Sequence, residues 1–225
     1  MGFAECRGTV GDDPLRVVEN RKRSFAAVGR SLDSMFDVWQ VHSNDVVLAQ
    51  APRPVNEAHQ KADAILTDKD AITLFMRFAD CVPVLLFDPV HRAIGLVHAG
   101  WAGTVNQIGM MAVQAMQAAF GTDPASLLAG IGPSICPEHY PIGADVIVKV
   151  KEAFGLDAPG LLAAHGEATH FDLWSANQRV LERAGVKHIE ISEICTACHP
   201  DEWYSHRGEK GKTGRFGFLF GLETQ

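Results

Sequence analysis

Short apolar runs rich in Val, Ile, Leu and Phe recur along the chain, and each ends near Gly, Pro, Asp or Asn. Runs of this length between turn residues are typical of β-strands. Two of them, 82–87 and 93–97, are joined by a short segment, which predicts a buried β-hairpin. The predicted strands are 38–41, 46–48, 72–78, 82–87, 93–97, 127–131, 188–194 and 216–220.

Three other segments carry apolar residues at helical spacing of three to four. The segment 106–120 is followed by Gly121, a natural helix stop. The segment 173–184 has Asp172 as a candidate N-cap and Gly185 after its end. The third predicted helix is 144–154. Because strands and helices do not alternate regularly and hairpins are present, the sequence predicts a mixed α+β fold rather than a doubly wound parallel sheet.

Composition places the chain among ordinary globular proteins. Its length of 225 residues favours one domain spanning 1–225. A content of 47% hydrophobic and 21% charged residues argues against disorder. The net charge of -7 argues against a long nucleic-acid surface, which is usually basic. With no apolar stretch of about 18 residues and no signal-peptide pattern, we expect no membrane partner and a cytoplasmic location. The five cysteines are then expected to be thiols or ligands.

Three His and Cys residues stand at the ends of predicted strands, where a side chain is held rigidly and still reaches a cleft. His42 follows 38–41, Cys81 precedes 82–87, and His98 follows 93–97. Zinc binds imidazole and thiolate, and catalytic zinc sites use three protein ligands and leave one position for water. The sequence is therefore compatible with a catalytic zinc site. The alternative is a buried thiol with two histidines bonded to carbonyls.

The remaining cysteines leave several possibilities open. The string Cys195-Thr196-Ala197-Cys198-His199 matches a haem-attachment motif, but such attachment normally accompanies export. The same string fits a redox pair, one half of a zinc site, a structural thiol pair or a contribution to the rim of the main site. Whether Cys136, Cys195 and Cys198 do more than pack stays open at this point.

Cationic residues near the C-terminus suggest an anion site. Arg207, Lys210, Lys212 and Arg215 lie close together among glycines, which favours an anion cradle, with a solvated loop as the alternative. Arg21, after Asn20, is a second candidate anion contact.

Two segments make the sequence recognisable: Ala79-Asp80-Cys81-Val82-Pro83-Val84-Leu85-Leu86 and His98-Ala99-Gly100-Trp101. The chain resembles the purine nucleoside phosphorylase family formerly named multicopper polyphenol oxidoreductase, or laccase domain. Other matching segments follow in the same order and together span nearly the whole chain. They are Asn20-Arg21, Gln40-Val41-His42, Ala62-Asp63-Ala64, Ile131-Gly132-Pro133-Ser134-Ile135, Phe171-Asp172-Leu173-Trp174, Ser205-His206-Arg207 and Thr213-Gly214-Arg215.

The resemblance implies a single domain of α/β/β/α layers with mixed sheets, and zinc held by His42, Cys81 and His98. It also implies phosphorolysis of purine nucleosides, adenosine and inosine among them, with guanosine and methylthioadenosine as further candidates, and deamination of adenosine at the same site. The partners would be a purine nucleoside and phosphate, in an oligomeric state that the sequence leaves open. Many relatives have Arg where this chain has Ala102, Gly where it has Cys136, and a Cys near the position of His139. These differences bear on substrate preference more than on metal binding.

The roles that follow are hypotheses. Cys81 and His98 would hold the reacting centre, and Asp80 beside them is a candidate proton shuttle, with bracing of the ligands as its alternative role. Arg21 and Arg207 would bind phosphate. Trp101 would stack on the purine or simply pack in the core.

Three other functions fit the same residues. Cys81 as a thiolate nucleophile with His98 as base would suit an amide hydrolase that edits a cell-wall precursor. A His₂Cys set also resembles a blue-copper site, so copper could occupy it in vitro and support a phenol oxidase. Multicopper oxidases, however, need His-x-His pairs, and the chain has none. A non-enzymatic zinc-binding protein is the third alternative.

Overall fold

The structure, a computed structural model, describes residues 12–223 and shows the expected α+β fold. Residues 1–11, which include Cys6, lie outside the described residues. The expectation of no signal peptide rests on this segment. The helices are α1 Pro14–Ala27, α2 Trp101–Val105, α3 Ile108–Phe120, α4 Ala144–Phe154, α5 Ala158–Leu161 and α6 Leu173–Arg183. The strands are β1 Met35–Asp37, β2 Val46–Leu48, β3 Ala64–Thr67, β4 Thr73–Phe78, β5 Val82–Asp88, β6 Ala93–Ala99, β7 Leu128–Ile131, β8 Pro141–Ile142, β9 Leu162–His165, β10 Ala168–Phe171, β11 His188–Ile191 and β12 Phe216–Gly221.

A six-stranded mixed sheet in the order β11-β7-β5-β6-β3-β2 forms the centre of the molecule. The predicted hairpin is its middle: β5 and β6 are antiparallel, with Val82 opposite Ala99 at the open end. At the closed end the Asp88 carboxylate accepts hydrogen bonds from the backbone N–H groups of Val90 at 2.9 Å and His91 at 3.0 Å. This turn chemistry fixes the register of the hairpin and hence the position of the residues at its open end.

The two faces of the large sheet bury different partners because side chains alternate along each strand. In β6, Ala93 and Val97 pack with α3 and α6, whereas Ile94 and Leu96 pack against a second sheet of order β1-β4-β12. Helix α1 covers the outer face of that second sheet, where the rings of Phe25 and Phe75 lie 6.0 Å apart. The layers are therefore α/β/β/α, as the resemblance implied.

Several predicted elements were wrong or incomplete. The segment 38–41 is not a strand, since Trp39 makes only an isolated bridge to Lys61. The helix predicted over 106–120 begins at Ile108, two residues later than predicted. Gln107 has a left-handed φ of 61°, which separates α2 from α3. Helix α1 was missed because it buries little, Val17 and Phe25 being its buried residues. The elements β3, β8, β9 and β10 are short and were also missed.

Among residues 12–223, no helix combines the length and apolar character that crossing a membrane requires.

Candidate metal centre

The open end of the β5–β6 hairpin brings together the three residues singled out from the sequence. Cys81 immediately precedes β5, and His98 lies in β6 opposite Pro83. His42 comes from the loop after β1, in a left-handed conformation with φ 60°. One donor atom from each side chain lies within 4.8 Å of the other two, and the His42 Nε2 to Cys81 Sγ distance is 3.9 Å. The structure thus brings together imidazole and thiol donors from distant parts of the sequence.

Asp63, which sequence reasoning did not assign a role, organises this cluster from behind. Its buried carboxylate accepts a hydrogen bond from His98 Nδ1–H at 2.8 Å through Oδ1. Its Oδ2 accepts from the backbone N–H of Val41 at 3.2 Å and from the backbone and hydroxyl of Ser43 at 2.6 and 2.9 Å. One carboxylate therefore orients the ring of His98 and the loop that carries His42. The presence of Asp63 in one of the resembling segments was the available indication.

Gly100 allows the backbone to approach the three donors. A Cβ at this position would lie 2.9 Å from Cys81 Sγ and 3.1 Å from His42 Cδ2. Contacts below about 3.0–3.4 Å force neighbouring atoms to move, so any larger residue would displace two of the donors. The absence of a side chain at Gly100 therefore leaves room for the donor side chains of Cys81 and His42.

The electrostatics of the cluster favour a thiolate. Burial alone would raise the pKa of Cys81, but the positive charge of His98 and the hydrogen bonds of His42 and His98 lower it to about 6. Burial would lower the pKa of His98, but the Cys81 thiolate and the Asp63 carboxylate raise it to about 9. Without a metal, the site therefore favours a thiolate–imidazolium pair at neutral pH, and the thiolate is the form that binds metals.

The cluster is buried on one side and open on the other. His98 is almost fully buried, whereas Cys81 is partly exposed and His42 is exposed. Within residues 12–223, no fourth His, Cys, Asp or Glu joins the group. Three protein donors with an accessible edge are typical of a catalytic site, because structural zinc sites have four protein ligands.

Asp80 lies beside Cys81 and joins three segments of the chain. Its Oδ1 accepts a hydrogen bond from the Thr196 hydroxyl at 2.8 Å, and its Oδ2 accepts one from the backbone N–H of Arg207 at 2.6 Å. Its backbone carbonyl accepts from the N–H of Ile135 at 3.1 Å. Asp80 has a positive φ of 78° and is buried. This geometry gives Asp80 a bracing role, while its part in proton transfer stays a prediction.

Arg207 and Tyr140 lie together next to this brace. The guanidinium carbon of Arg207 is 4.9 Å from the centre of the Tyr140 ring, and Nη1 donates to the carbonyl of Pro141 at 2.8 Å. Burial and the negative charges of Cys81 and Asp80 keep the pKa of Tyr140 above its usual range. Tyr140, which the sequence did not single out, is therefore a protonated hydroxyl close to the thiolate.

The other two predicted contacts lie elsewhere. Trp101 begins α2, one residue after Gly100, and its half-buried ring packs against the helix-side core with the ammonium of Lys149 5.1 Å from its centre. Arg21 lies on α1, 5.2 Å from the Phe75 ring centre. Phe75 and Phe78 point to opposite faces of β4, and Phe78 is the one that contacts His98, at 5.4 Å between ring centres. The structure thus does not bring Arg21 beside the cluster.

The remaining cysteines form a group of their own. Cys136, Cys195 and Cys198 lie around His139, with the four donor atoms within 4.8 Å of one another. His199, which follows Cys198 in the apparent haem motif, is not part of this group. Sequence reasoning missed His139 as a member, although its spacing from Cys136 equals that between Cys195 and Cys198.

Comparison with known proteins places this geometry in context. A family model described as multi-copper polyphenol oxidoreductase laccase matches residues 3–223. A purine nucleoside phosphorylase of Deinococcus radiodurans is 40% identical over 211 residues, which cover 94% of this chain and 79% of that protein. Adenosine deaminase RL5, from an unknown prokaryotic organism, is 35% identical over 216 residues, covering 92% of this chain and 82% of that protein. The crystal structure of the hypothetical protein YfiH of Bacillus licheniformis gives a TM-score of 0.91 at 30% identity, covering 99% of this chain and 90% of that one.

Proposed function

Because the chain belongs to the multi-copper polyphenol oxidoreductase laccase family, we propose that it is a zinc-dependent enzyme that cleaves purine nucleosides by phosphorolysis and deaminates adenosine. Similar proteins named purine nucleoside phosphorylase and adenosine deaminase support this proposal. The observation that carries it is the convergence of His42, Cys81 and His98 at an accessible edge. Adenosine and inosine are the proposed substrates, with guanosine and methylthioadenosine as further ones.

The donor set fits zinc. Two imidazoles and one thiolate are ligands that zinc prefers, and Asp63 fixes the ring of His98 so that Nε2 faces the other donors. When bound there, zinc would act as a Lewis acid and lower the pKa of a water at its fourth position. Copper accepts similar donors, so metal content after purification decides between the two.

The two proposed reactions share a substrate but consume different second reactants. In phosphorolysis, a phosphate oxygen forms a bond to the anomeric carbon of the ribose while the bond to the purine nitrogen breaks, and the base gains a proton. In deamination, water adds to the purine carbon that bears the amino group, and ammonia leaves. Both need a proton donor near the purine, and Tyr140, whose raised pKa keeps its hydroxyl protonated, is proposed for this role. Asp80 stays the proposed proton shuttle.

Phosphate binding is assigned to Arg207 first. Its exposed side chain uses Nη1 to bind the Pro141 carbonyl, which leaves other guanidinium N–H groups for an anion. Asp80 holds the backbone of the same residue, so the brace and the phosphate contact are linked. Arg21 is the weaker proposal because it contacts the opposite face of β4. Trp101 stays the proposed purine-stacking residue.

Incubation of the metal-analysed protein with adenosine or inosine, with and without phosphate, tests the proposal. Phosphate-dependent release of free base supports phosphorolysis, and conversion of adenosine to inosine without phosphate supports deamination. Cys81→Ala should lose one zinc ion and both activities, whereas His188→Ala, an exposed histidine outside the cluster, should keep both. Unchanged activity in Cys81→Ala would show that the metal assignment is wrong.

The thiolate–imidazolium pair favours one alternative, a Cys81 nucleophile with His98 as base in an amide hydrolase. Thiol alkylation and metal content separate the two functions. A nucleophile would lose activity on alkylation of the zinc-free protein and would need no metal, whereas the zinc enzyme should be inactive without zinc and regain activity when zinc is restored.

A further inference from the structure

A second group of metal-binding side chains lies outside the site described above. Cys136 and His139 belong to a short 3₁₀ turn after β7, and Cys195 and Cys198 belong to the segment after β11. Cys136 and Cys195 are buried, whereas His139 and Cys198 are exposed at the surface. All four donor atoms lie within 4.8 Å of one another.

The three distances from His139 Nδ1 to the sulfur atoms match the edges of a tetrahedron around a single ion. His139 Nδ1 is 3.2 Å from Cys136 Sγ, 3.4 Å from Cys198 Sγ and 3.8 Å from Cys195 Sγ. Zinc bonds of about 2.3 Å to sulfur and about 2.0–2.1 Å to nitrogen give tetrahedral S···N edges of about 3.5 Å. One imidazole nitrogen supports one hydrogen bond, so hydrogen bonding alone does not account for three sulfurs around it. A central cation satisfies all four donors at once.

The backbone around the donors forms two tight turns that face each other. The N–H of His139 donates to the carbonyl of Cys136 at 3.2 Å, and the N–H of Cys198 donates to the carbonyl of Cys195 at 3.2 Å. The N–H of Cys136 donates to Cys195 Sγ at 3.3 Å, a contact that stabilises a thiolate. A parallel bridge between Ser134 and Cys195 joins the two segments. The chain therefore presents Cys-x-x-His and Cys-x-x-Cys turns in a fixed mutual arrangement.

We propose that Cys136, His139, Cys195 and Cys198 bind a structural zinc ion at a site separate from the His42, Cys81 and His98 cluster. Three thiolates and one imidazole form a ligand set found in structural zinc sites, and these soft donors disfavour magnesium and calcium. Four protein ligands leave no position for a substrate. The proposal does not depend on the proposed function.

The position of this site gives it a positioning role. Thr196, between Cys195 and Cys198, donates its hydroxyl hydrogen bond to Asp80. Ile135, next to Cys136, donates its N–H to the carbonyl of the same Asp80. A zinc ion that joins the two turns therefore holds both contacts of Asp80, and through Asp80 the backbone of Arg207.

Metal counting on the purified full-length protein tests the site. The wild type should hold about two zinc ions per chain, and Cys198→Ser and Cys81→Ala should each hold about one. The double variant should hold none. His199→Ala is the matched control, because it alters the neighbouring exposed histidine outside the group, and it should keep both ions. Since Cys198 is exposed, its replacement by serine should not prevent folding; His139→Ala provides a second variant with the same expected loss.

A spectrum identifies the ligands independently of activity. Replacing zinc by cobalt(II) should give strong near-ultraviolet sulfur-to-cobalt absorption in Cys81→Ala that Cys198→Ser weakens. Cys198→Ser should also lower Tm by about 5 °C or more in zinc-containing buffer, and a chelator should remove this difference from the wild type.

Three results would overturn the proposal. One is a wild type whose only bound zinc is lost in Cys81→Ala and kept in Cys198→Ser. Another is a Cys195–Cys198 disulfide in the freshly purified protein, seen as a mass about 2 Da lower. The third is retention of copper or iron rather than zinc at the four residues. Loss of nucleoside phosphorolysis alone would bear on the proposed function and not on this site.

Discussion

Replacing Asp63 by Asn should weaken metal binding at the three-donor site while leaving the fold in place. In the wild type, Asp63 Oδ2 accepts three hydrogen bonds from Val41 and Ser43, and Oδ1 accepts the one from His98 Nδ1–H. An Asn can keep the first three through its own oxygen. Its NH₂ group then faces His98 Nδ1, and two donors would meet.

The clash is relieved if His98 moves its proton from Nδ1 to Nε2. The lone pair that faces His42 and Cys81 is then lost, and with it a good metal ligand. Removal of such an orienting partner typically costs 10–100-fold in metal affinity, which corresponds to about 1.4–2.8 kcal/mol. The same range follows from the loss of one hydrogen bond to a charged group, about 1.5–3 kcal/mol.

Competition with a chromophoric zinc chelator measures the change. Asp88→Asn is the matched control, because Asp88 is also buried and also binds a histidine, His91, at 2.8 Å, but at the closed end of the hairpin. The amide oxygen of the Asn can still accept the turn hydrogen bonds from Val90 and His91 that fix the hairpin register. Asp63→Asn should lower zinc affinity 10–100-fold, and Asp88→Asn should leave it unchanged. Equal affinities in Asp63→Asn and the wild type would refute the proposed role of the carboxylate.

Three further results are expected. In the zinc-free protein, the rate of Cys81 alkylation should stay high as the pH falls to about 6 and drop only below it, because the lowered pKa of Cys81 keeps the thiolate. Peptide mapping of the alkylated residue measures this rate, and a midpoint of its pH profile near 8.5 would contradict the prediction. Gly100→Ala should reduce the zinc content of the three-donor site at least tenfold, since the new Cβ would lie 2.9 Å from Cys81 Sγ. Full zinc occupancy in this variant would show that the backbone at position 100 shifts without disturbing the donors. Arg207→Ala should raise KM for phosphate about tenfold or more, while Arg207→Lys recovers part of the loss and Arg179→Ala, on exposed helix surface, has no effect.

The main architecture could be predicted because its elements carry strong local patterns. The β5–β6 hairpin has two apolar runs and a short turn, and this alone placed Cys81 and His98 at one end. Helix α1 carries no such local pattern. Its exposed surface is rich in charged and polar residues, so the tertiary contact of Phe25 with Phe75 stabilises it rather than an apolar stripe.

Residues that act through others were harder to find. Asp63 supports the site from inside the protein, and a single acidic residue before a short strand has no local feature that distinguishes it. The four-donor group needs residues 59 positions apart in sequence, Cys136 and Cys195, and the parallel pairing of β7 with β11, extended by the bridge between Ser134 and Cys195, brings them together. Spacing within each Cys-x-x-Cys or Cys-x-x-His turn was visible, but the match between the two turns is a property of the fold.

The two donor groups also differ in when they can be completed during synthesis of the chain. All three residues of the first group precede Gly100, and they lie in or beside the β5–β6 hairpin and in the loop after β1. The second group has to wait for Cys198, which emerges from the ribosome after most of the large sheet is already available to pair. We therefore expect metal uptake by the nascent protein to be ordered, with the open site loaded early and the four-donor group closing near the end of translation.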